Sequence, residues 1–241
     1  MTSHAIEASP ERLARVAGAL YLFVIVVGLF GEMFVRGRLI VWSDPTATAE
    51  RILASESLWR FSVAAELLYL LFAVVLAAIF FVLLRPAGRD LALLAVLFNV
   101  VAIAIEAVGR LQLIVALAVL RGAESLAAFE PGQVHALAFL FVRAHGRGFS
   151  VSLLFFGGFC LVVGTLISRS GYLPKLIGVL MQVAGLGYLL DGFALILSPA
   201  FHSMIFPFSL LPAFVAESSL ALWLLVKGVD VARFEARAGA G

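Results

Sequence analysis

The sequence predicts an all-α, polytopic membrane protein, a helical bundle of about six transmembrane helices, and three observations predict it. Hydrophobic residues make up 63% of the 241 and charged residues 13%, with a mean hydropathy of +1.11, against roughly 45–50% and 25% in average soluble domains. The apolar residues gather into six runs, each near the roughly 20 residues that a helix needs to cross hydrocarbon. Between the runs lie stretches holding Arg, Lys, Pro and Gly, the residues of membrane-boundary turns. The whole chain, 1–241, is read as one integral membrane domain.

The predicted spans are 13–35, 60–84, 91–120, 136–167, 173–197 and 210–226. The first is too long for a secretory h-region and lacks a small-residue cleavage pattern, so it is a permanent span. The third would run about 45 Å at 1.5 Å per residue, so it and the long fourth span either tilt strongly or project from the bilayer as a hairpin. The segments "RPAG" and "RSGYLPK" are tight connections on one side. On the other side, "SDPTATAERILASESLW" offers Asp44 as a helix cap and Pro45 as a first helical residue, which predicts a short surface helix with Ile52 and Leu53 on its apolar side. "SPAFHSMIFPFSLLP" holds too many prolines for a regular helix and reads as an interfacial or re-entrant loop.

Basic residues set the orientation. Arg12, Arg15, Arg85, Arg89, Arg169, Lys175, Lys227, Arg233 and Arg237 fall on one side, and Arg36, Arg38, Arg51, Arg60 and Arg121 on the other. The bias predicts an inner-membrane protein, multi-pass, with both termini cytoplasmic. The near balance of 17 basic against 15 acidic residues, without a basic stripe interleaved with aromatics, predicts no nucleic-acid partner. The expected partners are membrane lipid and a small-molecule or lipid-like ligand; the oligomeric state is left open. The single cysteine, Cys160, sits in an apolar run as a small packing residue and excludes an internal disulfide. Walker, Rossmann, HExxH and GxSxG motifs are absent, so no cofactor is named. Acids with His145 and His202 are eligible metal ligands without the spacing of a metal motif, while His4 and His135 read as solvated.

Chemistry points to one layer. Glu32 follows Arg15 by 17 residues, Glu106 follows Arg89 by 17, and Asp191 follows Lys175 by 16, which puts all three acids about 25 Å up from the cytoplasmic side. Glu66 lies early in the second span, Glu217 midway along the sixth, and His145 near the start of the fourth. In "IAIEAVGRLQL", Glu106 and Arg110 form a same-face i,i+4 pair, and "VRAHGRG" brings Arg143 and Arg147 to a similar level as further counter-charges. Insertion scales charge about 2.5–3.5 kcal/mol for an ionised residue at a helix centre, so these groups must pair, share protons, bind a cation or line water. The pocket residues are therefore Glu32, Glu66, Glu106, Arg110, Arg143, His145, Arg147, Asp191 and Glu217, with His145 as a proton relay. The offsets, and the likeness of "RVAGALY" to "KLIGVLM" and "SVAAELL" to "AFVAESS", fit three tandem helical hairpins and equally fit chance similarity of short apolar segments.

The runs "GLFGEMFVRGRLIV", "ILASESLWR" and "SRSGYLPKLIGVLMQVAGLGYLLDG" resemble the bacterial multi-pass membrane family filed as domain of unknown function 4386, over nearly the whole chain. The resemblance implies an all-helical bacterial membrane protein and transfers no catalytic role to any residue. The expected function is binding of a small or amphipathic ligand in an outward-facing intramembrane pocket of acids and bases, with proton exchange. The alternatives are a membrane enzyme, acid-catalysed or metal-assisted, acting on a lipid or isoprenoid, and a structural or accessory protein whose charges lock the bundle.

Overall fold

The computed structural model describes residues 9–122, 126–206 and 208–239. The first span begins with α1 (Pro10–Leu29), passes through a π-helical turn (Phe30–Arg36) and ends in a short α2 (Gly37–Leu39). The surface helix α3 (Pro45–Ala54) follows, then α4 (Glu56–Leu84), α5 (Arg89–Leu120), α6 (Pro131–Ser170), α7 (Lys175–Leu197), a short α8 (Pro199–Ile205), α9 (Leu211–Val226) and α10 (Val231–Ala238). Among the described residues there is no strand, and six helices are long and apolar enough to cross a membrane. The protein is a multi-pass membrane protein of all-α class. His4, read as solvated, lies outside the described residues, and His135 is half-buried with Nδ1 3.3 Å from Thr46 Oγ1.

The membrane helices pack in chain order: α1 against α4, α4 against α5, α5 against α6, α6 against α7, α7 against α9, and α9 back against α1, which closes the ring. The tightest seam runs between α6 and α7. A Cβ on Gly157 would stand 2.9 Å from the Gly185 carbonyl oxygen, and one on Gly164 would stand 2.5 Å from that of Gly178. The two contacts recur seven residues apart on each antiparallel helix, so the backbones touch every second turn.

Two apolar cores fill the ring. One holds Tyr21, Phe80, Leu83, Phe159, Leu166, Met181 and Leu220; the other holds Val35, Ile52, Trp59, Leu113, Phe139 and Val142. On each of α4, α5 and α6 the buried polar residues Glu66, Arg110 and His145 fall between positions of the two cores, and on the first span Arg36 falls among the outer ones. The charged layer thus lies where the inner core gives way to the outer one. α3 forms as its cap predicts, with Asp44 Oδ1 accepting from Ala47 N at 3.0 Å. Its Ile52 is buried in the outer core beside Trp59, so the helix seals that end of the bundle.

The "SGYLP" turn earns its distinctive residues. Gly171 ends α6 in a left-handed conformation (φ 77°), which a side chain would strain. Ser170 Oγ accepts from Leu173 N at 3.2 Å, and the Tyr172 hydroxyl donates to the Leu83 carbonyl at 2.7 Å. Burial pushes the Tyr172 phenol above its ordinary range. The turn also anchors α10, through Arg233 Nη1 on the Gly171 carbonyl (3.1 Å) and Phe234 edge-on to Tyr172.

Several boundaries differ from the expectation. The first and fourth spans start three and five residues earlier, at Pro10 and Pro131, because each proline occupies a first helical turn that hydropathy does not see. The segment expected as an irregular loop contains α8, begun by Pro199, and a 3-10 turn at Phe208–Leu210; Pro207 lies outside the described residues.

Candidate functional site

The outer charge cluster is assembled by four elements around Glu66, whose side chain is fully buried. On the first span, the π-helical turn brings a half-exposed Glu32 and a buried Arg36 to the cluster. Arg36 Nη2 donates to Glu32 Oε1 at 2.8 Å and to Glu66 Oε1 at 2.7 Å. From α5, Arg110 Nε stands 2.7 Å from Glu66 Oε2, an ionic contact whose N–H direction misses the oxygen, so both atoms lack a well-aligned hydrogen bond. Gly31 makes room for Glu66: a Cβ there would stand 1.6 Å from Glu66 Oε1.

The cluster extends to its rim through Glu106. Arg110 Nη2 donates to Glu106 Oε2 at 2.9 Å, and the Tyr69 hydroxyl donates to the same carboxylate while accepting from Arg110. Glu32 and Glu106 keep 39% and 19% of their side-chain surfaces exposed, against 0% for Glu66. His145 on α6 completes the group. Its Nδ1 lies 3.2 Å from the Gly109 carbonyl, an acceptor only, so Nδ1 carries a hydrogen. Its Nε2 lies 3.3 Å from Glu32 Oε1, within hydrogen-bond reach of that carboxylate. Arg110 Nη1, 3.4 Å from Nδ1, is then a neighbour and not a donor.

Two acids of the expected layer stand elsewhere. Glu217, on α9, is buried between two phenols: Tyr21 donates to Oε2 at 2.9 Å and Tyr188 donates to Oε1. Asp191, on α7, is fully buried beneath α8; Ser209 Oγ donates to its Oδ1 at 2.9 Å, and His202 Nε2 lies 3.5 Å from that oxygen. The five acids therefore resolve into three groups: Glu32, Glu66 and Glu106 together, Glu217 alone with phenols, and Asp191 at the outer end of α7.

The counter-charges need correction. Arg143 and Arg147 are exposed; Arg143 donates to the Trp42 carbonyl at 3.2 Å and lies over the Phe139 ring. Neither is paired with the cluster's acids among the described residues. Arg36 fills that role instead. The sequence places it in a connection, since the apolar run ends at Val35, yet the Glu32/Arg36 spacing repeats that of Glu106/Arg110, a signal that could have found it. The phenol of Tyr188 is the other group that acid-and-base reasoning overlooked as a hydrogen-bond partner.

The family model described as Domain of unknown function (DUF4386) matches residues 16–228. An uncharacterised protein of the archaeon Archaeoglobus fulgidus is 25% identical over 168 residues, covering 70% of this chain and 84% of the relative. Its archaeal source carries the resemblance beyond the bacteria expected from the sequence. No solved structure matches the chain.

Proposed function

We propose, from the premise that the chain belongs to the family of domain of unknown function 4386, that its outer charge cluster binds the cationic group of a small or amphipathic ligand and releases a proton in exchange. The observation that carries this reading is an imbalance of charge. Three carboxylates, Glu32, Glu66 and Glu106, face two guanidiniums, Arg36 and Arg110. The group holds one net negative charge, and a single proton on His145 or on an acid neutralises it. A cation arriving at Glu32 and Glu106 replaces that proton at little electrostatic cost, since both states are neutral. A purely structural lock would favour full pairing, whereas here Arg36 Nε is buried without a hydrogen-bond partner.

The exposed rim supports an amphipathic ligand. The carboxylates with surface to offer are Glu32 and Glu106, and apolar side chains such as Met33 and Phe34 stand exposed on the first span beside Glu32. An ammonium headgroup can dock on the acids while its chain stays in lipid. The distribution of basic residues supports an inner-membrane setting with both termini cytoplasmic and the cluster toward the outer leaflet.

The test uses protein in lipid nanodiscs, a lipophilic primary amine and, as control, a fatty acid of equal chain length. Binding of the amine is expected to raise the melting temperature and release a proton to a pH indicator, both effects being lost in Glu32→Gln and Glu106→Gln. Equal stabilisation by the fatty acid, or amine binding without proton release, overturns the proposal. For the topology, a Cys160→Ser background carrying Ser43→Cys should react with an impermeant maleimide on intact cells, while one carrying Lys175→Cys should not; the reverse pattern overturns the orientation.

A further inference from the structure

We infer that Glu217, Tyr21 and Tyr188 form a second, deeper proton-holding site, in which the Glu217 carboxyl is kept neutral and held by hydrogen bonds to the two phenols. The site stands apart from the outer cluster, with which it shares no hydrogen bond or ion pair among the described residues. Its geometry is that of a carboxyl held at both oxygens by a separate hydroxyl, Tyr21 on Oε2 and Tyr188 on Oε1. No basic side chain pairs with Glu217 among the described residues.

The groups that act on it come from four helices. Tyr21 reaches it from α1 and Tyr188 from α7, Cys160 of α6 lies within electrostatic reach of it, and so does Glu106 of α5. Each is neutral or acidic, so none supplies the positive charge that an ionised Glu217 would need in a medium without water. Aromatic rings line the setting: Tyr21 packs edge-on to Phe80, Phe80 to Phe159, and Tyr188 to Phe156. Hydroxyl hydrogens rotate freely between donor and acceptor roles, so a neutral Glu217 can donate to one phenol while accepting from the other.

Depth makes the site consequential. Glu217 precedes Lys227 by 10 residues and Glu106 follows Arg89 by 17, which at 1.5 Å per residue places Glu217 about 10 Å nearer the cytoplasmic side than Glu106. The two carboxyls are thus successive stations at different levels of one bundle. Below Glu217 the path is closed by the inner core, where Leu83, Leu166, Leu220 and Leu224 are all but fully buried. The deeper site accordingly stores a proton on the outer side of an apolar barrier.

A hydrophobic carbodiimide tests this in the intact protein in nanodiscs. A neutral carboxyl adds across the reagent's C=N bond: its oxygen bonds the central carbon, and its proton moves to nitrogen, leaving an adduct that peptide mass spectrometry locates. The expected adduct is on Glu217, present in neutral buffer, absent from Glu66, and lost in Glu217→Gln. A water-soluble carbodiimide should instead reach the exposed rim at Glu32 and Glu106 and leave Glu217 untouched. Mapping the unaltered protein suffices even where a variant folds poorly. An unmodified Glu217 beside a modified Glu66, or Glu217 unmodified from acidic to alkaline buffer, overturns the inference. Failure of amine binding at the outer rim would leave the adduct on Glu217 unchanged, so the two proposals fail separately.

Discussion

Glu66 and Glu217 are both buried carboxyls in the same bundle, yet their surroundings solve the problem of burial in opposite ways. Glu66 has a guanidinium on each side, Arg36 and Arg110. Glu217 has a phenol on each side. Cations stabilise the charged form and so make Glu66 part of an ionic lattice whose members depend on one another. Phenols satisfy the oxygens without supplying charge, so Glu217 is exchangeable with any group of similar shape and hydrogen-bonding capacity. Two buried carboxyls therefore differ in their expected tolerance to substitution.

The largest effect is expected from breaking the ionic site on one side. Arg110→Ala leaves Glu66 and Glu106 short of a counter-charge, a kind of removal that typically costs about 3–5 kcal/mol. Glu66→Gln with Arg110→Gln keeps the net charge and should lose clearly less than Arg110→Ala, as read from melting temperatures in one lipid composition. Simple additivity of Glu66→Gln and Arg110→Gln would show that the two residues are not coupled.

Next in size is Gly31→Ala. The added carbon would occupy the place of Glu66 Oε1, and overpacking of this kind typically costs about 1–3 kcal/mol. Glu66→Gln does not shorten the side chain, so it should not rescue Gly31→Ala, whereas Glu66→Ala in the same chain should recover part of the loss. Smaller still is the phenol site: Tyr21→Phe removes one hydrogen bond and should cost about 1 kcal/mol, and Glu217→Gln should lower the melting temperature much less than Glu66→Gln. At the low end, Arg147→Ala should fall within about 0.5 kcal/mol, as exposed positions usually do; a larger loss would tie Arg147 to the cluster after all.

The contrast also explains what could be read from the sequence. Six helices and their order follow from apolar runs and breaker residues, because a membrane leaves the backbone few options. The Glu106/Arg110 pair was legible because α-helical spacing dictates its shared face. Arg36 was legible only through its four-residue spacing from Glu32, since it lies past the end of the apolar run and its inward position depends on a π-helical turn. Counting residues predicts a common depth for Glu32, Glu106 and Asp191, but depth says nothing of angle around the bundle. Asp191 faces α8 and Ser209, away from the cluster, for that reason. The match of Glu217 with Tyr21 and Tyr188 required knowing that α9 returns to pack between α1 and α7, a contact that closes the ring only in three dimensions.

The central claim, that one buried acid is charged and the other neutral, is tested most directly by infrared difference spectroscopy on the protein in nanodiscs at neutral pH. The carbonyl stretch of a protonated carboxyl is separate from the stretches of a carboxylate. The account predicts a protonated-carboxyl band that disappears in Glu217→Gln and persists in Glu66→Gln. A band that persists in Glu217→Gln and disappears in Glu66→Gln would contradict it.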